Sequence, residues 1–156
     1  MLTCTVFDSL RPNLFLKQTA DRTRDLAELT YPGLKFNVRS RLFQCWNGKS
    51  PANHYEVWLH ERLNKIELGA HFEGPRADNE AIYSYLDTNL IEIQARLGYQ
   101  FWLERWDHGW VRLYETVSML PLDSAKVEDV ARRLCEIMDV LQPLLDHMPV
   151  HAPALR

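Results

Sequence analysis

Two His-x-Glu triplets are the residues of this sequence whose types and spacing suit chemistry. They are the segments HYE, residues 54–56, and HFE, residues 71–73. Residues two apart in a β-strand project on the same side, so antiparallel pairing of the triplets would gather two imidazoles and two carboxylates on one sheet face. Such a set can bind zinc or iron, or can act as a general acid and base.

The same triplets also fit a purely structural role. Alternating His and Glu on neighbouring strands form ordinary cross-strand pairs on a solvated face. The sequence contains neither the P-C-x-x-C element of zinc deaminases nor the helical H-E-x-x-H pattern of zinc proteases. We therefore assign no catalytic residue, metal or cofactor. A small metal-dependent or acid–base enzyme that uses His54, Glu56, His71 and Glu73 is kept as the alternative function.

The triplets lie at the two ends of a predicted β-hairpin, residues 54–73. Alternate residues are apolar, which is typical of two strands with one buried face. A loop of two residues, Leu63 and Asn64, predicts seven cross-strand pairs. These are Tyr55 with Phe72, Val57 with Ala70 and Leu59 with Leu68 on the apolar face, and His54 with Glu73, Glu56 with His71, Trp58 with Gly69 and His60 with Glu67 on the polar face. Leu68→Asp should then unfold the protein, whereas Glu67→Lys should cost little.

A second hairpin is predicted over residues 99–117, with a three-residue loop at 107–109. Gly109 at the third loop position suits the left-handed conformation that follows a type I turn. A two-residue loop would place Arg105 opposite Arg112, which is unfavourable. The predicted pairs are Leu103 with Leu113 and Arg105 with Val111 on one face, and Trp102 with Tyr114, Glu104 with Arg112 and Trp106 with Trp110 on the other.

Helices and one further strand complete the predicted fold. The segment LTCTVF could form a short edge strand. A helix with a thin apolar stripe is predicted from Asn13 to Tyr31, and a strand from Leu34 to Trp46. A second helix is predicted from an N-cap at Asp78 or Asn79 to Gly98. The last helix follows an Asp123-Ser124 cap, has apolar residues at heptad spacing, and is expected to kink or end at Pro143. The seam of the last helix favours packing across a sheet over a coiled coil. The sequence thus predicts an α+β fold with a mostly antiparallel five-stranded sheet in the order α-β-β-β-α-β-β-α, as a single domain over residues 1–148 with a mobile tail at 149–156.

Five large aromatic side chains fall on the polar face of the predicted sheet. An exposed patch of this size exceeds what monomers usually leave open, so the first helix, a second subunit or a bound peptide, small molecule or single-stranded nucleic acid should cover it. Charged residues accompany the rings, including a basic pair expected to face Glu56 or Glu73 from the neighbouring strand. The candidate binding residues are Trp58, Trp102, Trp106, Trp110, Tyr114, Arg39, Arg41, Glu56, His71 and Arg112.

Composition limits the classes of partner. The formal net charge is -3 and the isoelectric point is near 6.1, so duplex nucleic-acid binding has little support. The three cysteines are widely spaced and odd in number, which favours reduced thiols. No apolar run reaches the length of a membrane span, and no signal-peptide pattern occurs, so we expect no membrane partner and a cytoplasmic location.

Two resemblances add to these expectations. The predicted element order resembles the small dimeric chaperones of type III secretion, which bind extended segments of other proteins. The segments YEVWLH, IELGAHFE and NEAIYSYLDTNLIEIQARLGYQFWLERW resemble an uncharacterised domain often found C-terminal to restriction-type nucleases. No Glu-x-Lys triplet occurs, so nuclease activity is not implied. We expect a homodimeric, non-enzymatic binding or adaptor protein, chaperone-like, that recognises a protein segment through its aromatic and charged sheet face.

Overall fold

A computed structural model describes residues 8–149 of the chain. The fold is α+β with an antiparallel sheet, as the sequence predicts, but the described residues form six strands and four helices instead of five and three. The elements are α1 (Pro12–Ala27), β1 (Lys35–Val38), β2 (Leu42–Trp46), β3 (Asn53–His60), β4 (Lys65–Phe72), α2 (Arg76–Thr88), α3 (Leu90–Leu97), β5 (Trp102–Trp106), β6 (Trp110–Ser118) and α4 (Ser124–Asp146). The predicted LTCTVF strand and most of the predicted tail lie outside the described residues.

All six strands belong to one sheet in the order β1-β2-β3-β4-β6-β5, and every neighbouring pair is antiparallel. The two predicted hairpins meet where β4 pairs with β6, and His71 lies opposite Arg112 there. Both hairpins therefore share one sheet with matched faces.

The helices pack on one side of this sheet. Tyr55 donates a hydrogen bond to Gln142 of α4, Arg24 of α1 lies over the ring of Phe36, and Arg105 binds Glu80 of α2. The apolar face of the central strands is buried here; its fully buried members include Val57, Leu59, Ile66, Leu68, Val111 and Leu113. No helix among residues 8–149 lies on the opposite side, which we call the open sheet face.

The faces of the central hairpin are confirmed, but its predicted residue pairs are wrong. Four residues, 61–64, join β3 to β4 in a 3₁₀ turn that ends with Asn64 at φ 51°. The longer loop shifts every partner by two positions, and because the shift is even, each side chain stays on its predicted face. The pairs are His54 with His71, Tyr55 with Ala70, Glu56 with Gly69, Val57 with Leu68, Trp58 with Glu67, Leu59 with Ile66 and His60 with Lys65.

The second hairpin is confirmed in full. All five predicted pairs of β5 with β6 occur. His108 and Gly109 have φ of 63° and 72° in the loop, so the left-handed turn geometry is the one that the glycine indicated.

The strand predicted from Leu34 to Trp46 is wrong as a single element. It forms a hairpin of β1 and β2, in which the backbone N–H of Arg39 donates to the carbonyl of Leu42 over 2.8 Å. Leu42 consequently lies on the open sheet face opposite Trp58, and not with the apolar residues of β1.

The helix predicted up to Gly98 is interrupted at Asn89. The side-chain amide of Asn89 donates to the carbonyl of Tyr85 over 2.8 Å and separates α2 from α3. Pro75 occupies the N-cap position of α2. Asn79 is buried inside the first turns, where it binds Gly74 and Gly109.

The first helix is shorter than predicted and begins after Arg11. Its buried stripe includes small residues, among them Thr19, Ala20 and Thr23, and both threonine hydroxyls donate to the carbonyl four residues earlier. Small side chains let α1 pack closely on α4, so the expectation that the first helix covers the aromatic patch is wrong.

The last helix starts where the sequence predicts. The carboxylate of Asp123 accepts a hydrogen bond from the backbone N–H of Lys126 over 2.8 Å. The seam from Val127 to Leu141 is buried, which confirms a helix packed within the fold. The helix continues through Pro143 to Asp146.

Candidate functional site

The open sheet face carries two groups of side chains. The polar cluster consists of His54, Glu56, Glu67, His71, Glu73, Glu104 and Arg112. The aromatic rim consists of Trp58, Trp102, Trp106, Trp110 and Tyr114. Four members of the polar cluster, His54, Glu56, Glu67 and His71, are buried although no described helix covers them. Neighbouring side chains of the same face must therefore shield them from water.

Glu67 and His71 form the centre of the polar cluster. They project from the same side of β4, with Gly69 between them. Because Gly69 has no side chain, the carboxylate and the imidazole can lean towards each other, and Glu67 Oε1 lies 3.0 Å from His71 Nε2. Glu67 is 3 % and His71 1 % exposed, so this pair is formed away from water.

Arg112 of β6 links two carboxylates. Its Nη1 donates to Glu67 Oε2 over 2.9 Å, and its Nε donates to Glu104 over 2.7 Å. The guanidinium lies 4.9 Å from the centre of the Trp106 ring and 4.3 Å from that of Tyr114. Strand pairing and cation–π contacts thus fix the cation above the sheet.

His54 lies at the other side of the cluster, on β3. Its Nδ1 is 2.8 Å from the carbonyl oxygen of Pro51, which can only accept, so Nδ1 carries a proton. Its Nε2 lies 3.2 Å from the Gln44 amide and 3.3 Å from Glu56 Oε2. The amide of Gln44 also donates to Glu56 over 3.0 Å.

The charges of the cluster shift its pKa values. Burial would raise the pKa of Glu67, but its hydrogen bond with His71 and the charges of His71 and Arg112 lower it. Burial would likewise raise the pKa of Glu56, but His54, His71 and Gln44 lower it. Burial would lower the pKa of His71, but Glu67, Glu73 and Glu56 raise it to about 9. At neutral pH the polar cluster therefore holds ionised carboxylates around a protonated imidazole.

The aromatic rim surrounds these charges. Trp58 packs on His60 with 4.1 Å between ring centres, and Trp106 meets His71 edge-on at 5.8 Å. Trp106 and Trp110 are 5.5 Å apart. Trp102 is the most exposed ring of the rim, at 61 %.

A groove gives access to the cluster from solvent. It has a volume of about 420 Å³, and its walls include His60, Glu67, Trp102, Arg112 and Tyr114. A side chain that enters this groove would meet aromatic faces first and charged groups beneath them.

Eight of the ten candidate binding residues are brought together here, and two are not. Arg39 and Arg41 lie in the exposed turn between β1 and β2, where Arg41 pairs with Glu61 at 2.6 Å. The expectation that they face Glu56 or Glu73 is wrong, because the register of β2 places Gln44 beside Glu56.

Sequence reasoning missed Glu67, Glu104 and Gln44 as site residues. Glu67 was paired with His60 alone; that contact exists at 3.1 Å, but Glu67 also holds His71 and Arg112. The spacing Glu67-x-Gly69-x-His71 on one strand was the available signal, since a glycine between two polar residues leaves room for them to meet. Nothing in the sequence marked Gln44 as a site residue, because residues 34–46 were predicted as a single strand and not as the hairpin of β1 and β2.

Comparison with protein-family models, with curated proteins and with solved structures finds no match for this chain. Among the described residues, no helix is long and apolar enough to cross a membrane. The function must therefore be argued from the open sheet face itself.

Proposed function

We propose that this protein is a non-enzymatic binding or adaptor protein, chaperone-like, that holds an extended segment of another protein on its open sheet face. The observation that carries the proposal is the groove of the open sheet face, with Glu67 and Arg112 beneath aromatic walls. Aromatic rings beside charged groups are typical of surfaces that recognise peptides, because the rings provide contact area and the charged groups orient the bound segment.

The charge of the polar cluster selects the kind of segment. Four carboxylates face one guanidinium and one protonated imidazole, so the cluster has an excess of negative charge. Trp106 and Tyr114 already accept the guanidinium of Arg112 on their faces. The proposed segment therefore carries lysine or arginine, whose cation is attracted to the carboxylates and can stack on the rings.

Binding fits this cluster better than acid–base catalysis. An efficient acid or base has a pKa close to the working pH. Glu56 and Glu67 have lowered pKa values, and that of His71 is about 9, so these three groups stay ionised around pH 7. The imidazole of His71 is also buried under Trp106, which keeps it from direct contact with a substrate.

The proposal includes a homodimer in the cytoplasm. β5 is an edge strand of the sheet, and the exposed ring of Trp102 lies on it. An exposed edge strand with a large apolar ring is a ready contact for a second copy of the chain. The heptad-spaced seam of α4 is buried within the subunit and so is not free for this contact. The cytoplasmic location is inferred from the sequence alone. The observed element order differs from the predicted one that resembled the type III secretion chaperones, so the chaperone-like character is inferred from the open sheet face instead.

A displayed library of random peptides tests the proposal. Selected peptides should be rich in lysine or arginine, and a synthetic copy should bind the wild type at micromolar concentration. Glu104→Gln and Trp110→Ala should each weaken that binding by about tenfold, which corresponds to about 1.4 kcal/mol. Ile91→Ala and Leu29→Ala remove apolar side chains that are 81 % and 98 % exposed elsewhere and serve as controls.

Two results would contradict the proposal. One is a selection that yields no binder, or only acidic ones. The other is a peptide whose affinity falls as much with Ile91→Ala as with Trp110→Ala.

A further inference from the structure

Three residues at one end of the open sheet face converge as metal ligands would. One donor atom each from His54, His71 and Glu73 lies within 4.8 Å of the others. His71 Nδ1 and Glu73 Oε1 are 3.8 Å apart, and the two imidazole rings are stacked with 5.6 Å between their centres.

One of these donor atoms has no hydrogen-bond partner among the described residues. His71 is 1 % exposed, and its Nδ1 makes no hydrogen bond with any described residue. A buried polar atom without a partner costs free energy, and native structures keep few of them without a reason. A bound cation would provide that reason.

Each imidazole is also oriented by its second nitrogen. His54 Nδ1 donates to the carbonyl of Pro51 over 2.8 Å, which leaves the lone pair on Nε2. His71 Nε2 donates to the carboxylate of Glu67 over 3.0 Å, so a metal ion that displaces the proton on Nδ1 finds a lone pair there. Metal-binding histidines are typically held in this way by a backbone carbonyl or a carboxylate.

We propose that His54, His71 and Glu73 bind a divalent transition-metal ion, with zinc as the best fit. Two imidazoles and one carboxylate form a donor set typical of zinc sites, with a fourth position left for water or another ligand. Ligand atoms of a tetrahedral zinc ion lie about 3.4 Å apart, given bonds of about 2.1 Å. Glu73 is only half-buried, so its side chain can turn to close the remaining distance.

The surroundings favour a cation at this place. The Glu56 carboxylate lies 3.3 Å from His54 and 3.9 Å from His71, and Glu67 lies on the far side of His71. Solvent reaches the three residues at Glu73, whose side chain is 23 % exposed. The amide of Gln44, which now contacts His54 Nε2, would have to turn aside.

Cobalt and zinc titrations test this site independently of peptide binding. Protein without a histidine tag is treated with a chelator and titrated with Co²⁺, whose visible d–d absorption identifies a tetrahedral N/O site. We expect one equivalent to bind and Zn²⁺ to displace it. Glu73→Gln and His71→Asn should each weaken binding by more than about tenfold, and Glu67→Gln by about 10- to 100-fold through loss of orientation. The control is His147→Asn, which removes an exposed imidazole at the end of α4 and should change nothing.

The proposal fails if the wild type gives no absorption change with Co²⁺ at millimolar concentration. It also fails if Glu73→Gln binds Co²⁺ as the wild type does. Circular dichroism establishes that each variant is folded, and if His71→Asn is not, the half-buried Glu73→Gln decides alone.

Discussion

Glu67 and His71 are four residues apart on β4, yet their side chains meet, with Glu67 Oε1 3.0 Å from His71 Nε2. Four residues of a strand span about 13 Å, so both side chains must lean towards the position between them. That position is Gly69, and the backbone of β6 passes close to it. A Cβ at Gly69 would lie 2.2 Å from the carbonyl oxygen of Leu113.

Gly69→Ala should therefore be costly. The added methyl would collide with the backbone of β6, and we expect a loss of about 3 kcal/mol of the free energy of unfolding. Urea unfolding of the variant and the wild type measures this difference in the free energy of unfolding. Gly33→Ala is the matched control, since its Cβ would have its nearest contact at an ordinary 3.6 Å. Equal stability of the two variants would show that β4 and β6 do not approach as described.

Glu67→Lys is a case in which the structure changes the expectation from sequence. The alternation of β4 placed Glu67 on a solvated face, where a lysine would cost little. The carboxylate is in fact 3 % exposed and bound to His71 and Arg112. A lysine there would set a third cation between two others, and we expect a loss of about 3 to 5 kcal/mol, comparable with Leu68→Asp.

Thermal unfolding with a neighbouring variant checks this prediction. Thr116→Lys introduces the same side chain at the exposed partner of Glu67 on β6 and should shift stability by less than about 0.5 kcal/mol. If Glu67→Lys were as stable as Thr116→Lys, the polar cluster would be solvated and the site described here would be wrong.

The two hairpins show what could be predicted from this sequence. The β5–β6 register was predicted residue by residue, because Gly109 defines its loop and the repulsion between Arg105 and Arg112 disfavours the two-residue loop. The β3–β4 loop has no such glycine, and loops of equal parity satisfy the same apolar alternation. The faces were therefore predictable and the pairs were not.

The burial of the polar cluster could not be predicted for a different reason. Alternation tells which side chains share a face, but not whether that face meets water. The burial of His71 depends on Trp106, which comes from a strand 30 residues away and joins β4 only through the pairing of β4 with β6. Local patterns carry no signal of that kind.

Cys135 should react slowly with alkylating reagents. Burial and the nearby charge of Asp139 raise the pKa of its thiol to about 11, so its thiolate fraction at pH 8 should be roughly 200-fold lower than that of an ordinary cysteine. Burial also raises the pKa of Cys45. Iodoacetamide labelling of a Cys4→Ser variant, followed by mass spectrometry, measures the reaction rates of both thiols. The rates in the same protein unfolded in urea serve as the reference for ordinary cysteines.

The labelling rate of Cys135 should rise continuously from pH 8 to pH 10, because its pKa lies above that range and the thiolate fraction therefore grows about tenfold with each pH unit. Rapid labelling at pH 8, or a rate that levels off near pH 9, would contradict the raised pKa.

Trp102 should hold the proposed homodimer. We expect the wild type to scatter light as twice the 18.3 kDa subunit at micromolar concentration. Trp102→Ala should shift the mass towards one subunit without unfolding it, because this ring is 61 % exposed and buries little within its own chain. Trp106 is unsuitable for this test, since it packs on His71 and Arg112.

Leu29→Ala is the control for the dimer, since Leu29 is 98 % exposed and far along the chain from β5. A wild type that scatters as a single 18.3 kDa chain would refute the dimer. A Trp102→Ala variant that stays dimeric would place the interface elsewhere.

Magnetic resonance of the protein with a selected basic peptide tests most directly whether the open sheet face is the binding surface. The indole N–H signals of Trp58, Trp106 and Trp110 report on that face, and the methyl signals of Val130, Leu134 and Ile137 report on the buried side of α4. We expect the peptide to shift the indole signals and to leave those methyl signals in place. Shifts confined to the α4 methyl groups, with the three indoles unmoved, would contradict the account.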